Sequence, residues 1–169
     1  MTYDFLTDEQ SLAEFIDQFE RGTLPKAMWT HGAHLGVGTW YLVTLPEEIA
    51  IERMRRGIQH YNECVGTANT PDSGYHETLT LFWLRIIAGQ VSGVPSASRR
   101  LTAQEKLKAV RGVVEKFGSR RDLFKNYYSF DVVASREARA RWVPPDKIVS
   151  DILFDILPDP GNKSTLRNI

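Results

Sequence analysis

Apolar side chains recur along this chain at spacings of three and four, and no stretch alternates as a strand would. Leu12, Phe15, Ile16 and Phe19 form the first stripe, opened by a capping box of Thr7 with Gln10 and stopped by Gly22. After a connector over 23–29, Thr30 reads as the cap of a helix running to about Thr44. Gly32, Gly36 and Gly38 would each cost that helix ~1 kcal/mol relative to alanine. Gly32 and Gly36 share a face, so the expected return is close approach of a neighbouring helix or a ligand. Leu45-Pro46 then reverses the chain, with Pro46 suited to the first helical position. Ile49, Met54 and Ile58 bury one side of the second rod, while Glu52, Arg53, Arg55 and Arg56 stay in water.

A turn-rich loop over 65–74 leads into a helix near 75–91 that is apolar around nearly its whole circumference, the mark of a central helix. A Gly/Pro/Ser linker over 92–100 follows. Thr102 and Glu105 make a second capping box for a helix closing at Gly118. Short helices are predicted around 122–128 and 136–142. Beyond Pro144-Pro145, Ile148, Ile152, Leu153 and Ile156 could dock a last amphipathic turn or two. The pattern therefore predicts an all-α fold: an irregular single-domain bundle of five to seven helices over 1–157, with a buried central helix near 75–91 and a loose tail over 158–169.

Composition narrows the function. Lys and Arg number 21 and so do Asp and Glu, so the zero net charge gives no electrostatic footprint for nucleic acid. No uncharged apolar run reaches the ~18 residues that cross a bilayer, and no signal peptide opens the chain. One cysteine, Cys64, leaves no internal disulfide and suits a cytoplasmic setting.

Candidate chemistry concentrates on the four histidines, His31, His34, His60 and His76. In an antiparallel hairpin the start of one helix lies beside the end of the next. At ~1.5 Å per residue, His31 and Tyr61 lie about 21 and 23 Å from the hinge, the same level within error. The helix near 75–91 opens at that end too, so all four imidazoles are expected at one rim. His31 and His34, three apart, point the same way and suit two ligands of one ion, with His76 as a third. Such donors fit a divalent metal, Zn, Fe, Ni or Mn. Glu77 would orient a ligand or act as general base, His76 would share the catalytic role, and Tyr61, Asn62, Asn69, Thr70 and Tyr75 would contact a substrate. The open coordination position would then serve a hydrolase- or lyase-like reaction.

Two other readings compete. Helix N-termini attract anions and repel cations, so the same rim could be a metal-free anion pocket with histidine as acid/base. The histidines could equally be helix-end hydrogen bonders in a binding or assembly module with a homodimer face. Cys64 follows His60 by one turn, but a helix C-terminus opposes a thiolate, and a half-buried bystander is the plainer reading. Arg85, on the apolar helix, needs a partner such as Glu14, Asp17 or Asp131. Arg99-Arg100 and Arg120-Arg121 read as solvated surface.

The words Trp29-Thr30-His31-x-x-His34-Leu35, Tyr61-Asn62-Glu63, Asn69-Thr70 and Gly74-Tyr75-His76-Glu77-Thr78 occur in that order, followed by Glu137-Ala138-Arg139 and Trp142-Val143-x-Pro145-Asp146. Together, over roughly 19–146, they resemble an uncharacterised group of small bacterial all-helical proteins. The resemblance brings no activity. It implies that 135–146 folds back toward the histidine end.

Overall fold

The computed structural model describes residues 3–92 and 101–147, and among these the regular structure is helical. Six α-helices run in order: α1 (Glu9–Glu20), α2 (His31–Thr44), α3 (Glu47–Cys64), α4 (Glu77–Val91), α5 (Ala103–Phe117) and α6 (Arg136–Ala140). Short 3-10 turns lie at Asp4–Leu6, Lys26–Met28 and Leu123–Asn126. The proposed last helix over 148–156, the tail over 158–169 and all of the 92–100 linker but Ser92 fall outside the described residues. No helix among the described residues is long and apolar enough to cross a membrane.

Helix ends follow local chemistry, with two shifts from expectation. Thr30 caps α2 by accepting from the Ala33 amide, and Thr102 with Glu105 closes a full capping box on α5. α1, however, is capped by Asp8, whose carboxylate takes the Ser11 amide at 2.8 Å. The Thr7 hydroxyl turns back to the Asp4 carbonyl instead. Pro46 stands one position before the helix, as the N-cap residue of α3. Gly22 ends α1 with φ at +69°, where other residues are strained.

α4 buries Thr78, Leu81, Phe82, Leu84, Ile86 and Ile87. It shares the centre with α2, which packs against α3, α4 and α5. The glycines of α2 explain how. A Cβ at Gly32 would lie 2.3 Å from the Tyr3 ring, one at Gly36 2.9 Å from Phe5, and one at Gly38 3.0 Å from Ile87. The ~1 kcal/mol that each glycine costs the helix is offset by burying these rings and side chains against its backbone. The close neighbours are thus the N-terminal segment and α4. Phe5 stacks on Phe15 at 4.1 Å, and Arg111 holds the Leu6 and Thr7 carbonyls, fastening that segment to α5.

Residues 132–146 wrap the opening of α4. The Thr78 hydroxyl donates to the Arg141 carbonyl (2.8 Å) and accepts the Val143 amide (2.9 Å). Arg139 reaches the Gly74 and Tyr75 carbonyls, and Arg136 grips Asp72 with two bonds of 2.7 and 2.8 Å. Arg85 lies over the Trp142 ring at 4.4 Å.

Candidate functional site

The starts of α2 and α4 flank a cavity of about 340 Å³. His31, His34 and His76 all line it, with Thr80 and, at its mouth, Arg121. Met54 and Ile58 from α3, Leu79, Trp83, Leu84 and Ile87 from α4, and Tyr75 and Phe124 make the remainder largely apolar. A site of this size and lining suits a small organic molecule.

His76 proves to be structural. It is itself the N-cap of α4, where its Nδ1 accepts the Leu79 amide at 3.3 Å. Its Nε2–H donates to the Val132 carbonyl at 2.9 Å, so both ring nitrogens are occupied. Burial pushes its pKa down, which keeps the ring neutral as this bonding requires.

His31 and His34 differ because Thr30 does the capping for α2. The His31 Nε2–H donates to the Phe117 carbonyl at 3.3 Å, leaving Nδ1 as an acceptor, and the ring meets Trp83 edge-on at 4.5 Å. Burial lowers its pKa, the Phe117 bond raises it, and the nearby Arg121 charge lowers it again. The His34 ring lies tilted against Trp29, 4.0 Å between centroids, and makes no hydrogen bond to the described protein. Burial drives its pKa down to about 3, with a smaller push from His31. The cavity therefore holds one neutral imidazole with neither nitrogen engaged.

The expected metal set of His31, His34 and His76 loses its third member to these bonds. Among the described residues no group of three or more His, Cys, Asp or Glu side chains is placed to hold an ion.

The expected substrate contacts divide. Tyr75 lines the cavity, but its hydroxyl donates to Glu77 Oε2 at 2.6 Å. Glu77 itself does not line the cavity: its carboxylate is clasped by Arg55 Nε and Nη2, and such a neutralised acid is a brace rather than a base. Tyr61 is fully buried, with its hydroxyl on the Leu24 carbonyl at 3.0 Å. Asn62 and Asn69 bond to each other, and Asn69 also takes the Tyr75 amide and donates to the Gln59 carbonyl. Thr70 closes a small turn with Ser73. Tyr61 belongs to the core, Asn62, Asn69 and Thr70 shape the loop between α3 and α4, and none of the four lines the cavity.

His60 also departs from expectation. It lies with Cys64 on another face, its ring nitrogens 3.6 and 3.9 Å from Sγ, beside Gly22. His60 and Tyr61 are neighbours about 100° apart on the helix, so when Tyr61 points into the core His60 cannot.

Arg121 is exposed, as the sequence reading had it, and it also lines the cavity, which that reading did not foresee. A turn after α5, in which the Arg120 amide returns to the Phe117 carbonyl at 2.8 Å, carries it to the cavity mouth. Only a three-dimensional contact, His31 on that same carbonyl, links this turn to α2. No protein-family model, curated protein or solved structure matches this chain.

Proposed function

We propose that the protein binds a small organic molecule in the cavity between the starts of α2 and α4, and that His34 fixes it by accepting a hydrogen bond. The observation that carries this is the pairing of a largely apolar space of about 340 Å³ with a half-buried imidazole in its wall that makes no hydrogen bond to the described protein. A ring nitrogen that a bound molecule shields from water needs a hydrogen-bond partner in exchange. A ligand O–H or N–H supplies the missing one, while Trp83, Leu84, Ile87 and Phe124 cover its apolar body.

Magnitude separates binding from proton transfer at this residue. With its pKa near 3, protonating His34 at neutral pH costs about 5 kcal/mol. It is therefore an acceptor and a weak base. Any acid/base step falls to His31, whose Nδ1 is free and whose pKa is displaced less.

Para-cresol, an aromatic ring with one O–H donor, is a direct probe. It should raise the melting temperature of the parent protein, whereas His34→Phe, which keeps a ring against Trp29 but has no acceptor, should lose that response. No response in the parent, or an undiminished one in the variant, rejects the reading. A divalent metal would have to rest on His31 and His34 alone, with water or ligand completing its shell. Stoichiometric metal in protein purified without a histidine tag would put that mechanism in place of this one.

A further inference from the structure

Resting on the cavity as the binding site, we infer that its ligand is an organic acid: a carboxylate held at the mouth by Arg121, an apolar body inside, and a hydrogen-bond donor at the far end on His34. The charge pattern carries the inference. No Asp or Glu lines the cavity. The two nearest candidates are already engaged, Asp122 with Lys125 at 3.2 Å and Glu77 with Arg55 and Tyr75. Arg121 is the cation that does line it, and it has no ion pair among the described residues.

The helix ends around the mouth agree with this sign. α2 and α4 both begin at the cavity, at His31 and Glu77, and present the positive ends of their backbone dipoles. At the end of α5 the Phe117 carbonyl is engaged, since it receives both the Arg120 amide and His31 Nε2–H. A carboxylate at the mouth meets a guanidinium fork matched to its geometry. An ammonium group there would meet the like charge of Arg121, with Asp122, whose charge also reaches His31, as the opposing one.

The test compares para-hydroxyphenylacetate with tyrosol, the alcohol in which CH2OH replaces the carboxylate, by calorimetric titration of the full chain. Both retain the phenolic O–H for His34. The acid should bind at least about tenfold more tightly, and the advantage should shrink as salt is raised, because the pair is exposed. Arg121→Gln should remove the advantage and leave tyrosol unchanged; Arg121 is exposed, so the variant keeps the fold. Tyrosol binding as well as the acid, or an acid advantage that survives Arg121→Gln, overturns the inference while leaving the cavity reading intact. Binding of neither compound overturns both.

Discussion

The starts of α2 and α4 both place histidine at a helix N-terminus beside the same cavity, yet they use it in opposite ways. At α4 the imidazole is the cap, so its nitrogens are consumed by Leu79 and Val132 and the ring is part of the scaffold. At α2 a threonine is the cap, and the two histidines behind it keep lone pairs that the backbone does not need. Burial lowers the basicity of all three rings, so low basicity does not tell function from structure here. Hydrogen-bond occupancy does. A histidine whose acceptor site is full supports the fold, and one whose acceptor site is empty can take a ligand.

The largest effect that would break this contrast is on stability at α4. His76→Ala removes a cap and a long-range bond together, and urea unfolding should show a loss of about 2–3 kcal/mol. His76→Asn restores a cap but not the Val132 bond, and should recover about 1 kcal/mol of that loss. If His76→Ala is as stable as the parent, the ring is no brace.

The next effect is on pH dependence. The His34 pKa is about 3 in the folded protein against 6.5 in an open chain. Between pH 6.5 and 5 the unfolded chain takes up a proton that the folded chain refuses, so stability falls as the pH falls, by about 2 kcal/mol over that interval. His34→Phe should remove this share of the slope, with His31 and His76, also displaced downward, leaving a remainder. An unchanged slope in the variant would place His34 in water. The smallest effect is at the α2 cap, where Thr30→Ala should cost about 1 kcal/mol in the same urea experiment. His31 and His34, sitting behind the cap, take no part in it.

The sequence was most readable where the physics is local. Hydrophobic spacing and the caps Thr30, Thr102 and Glu105 define helices within a residue or two of those found, because each cap acts over only three positions. Asp8 displaced Thr7 because two good caps stood side by side and only the backbone could choose. The hairpin argument brought the start of α2 level with the end of α3, but level along an axis does not fix angle around it. Tyr61 therefore took the core and His60 the outer face. The role of His76 was hidden for two reasons: histidine is an unusual cap, and its second partner lies 56 residues away. The pairing of Glu77 with Arg55, 22 residues earlier, left no local sign in the sequence. Arg121 is exposed as expected, but its place in the cavity lining depends on how α5 ends and turns.

The most direct measurement is a proton–nitrogen spectrum of the imidazole rings, recorded at pH 5 and then titrated with para-cresol. The account predicts that His34 is still neutral at that pH, that its nitrogen signals move on binding, and that those of His76 stay fixed with the proton on Nε2. A His34 ring already protonated at pH 5, or a ligand that shifts His76 and leaves His34 unmoved, would contradict it.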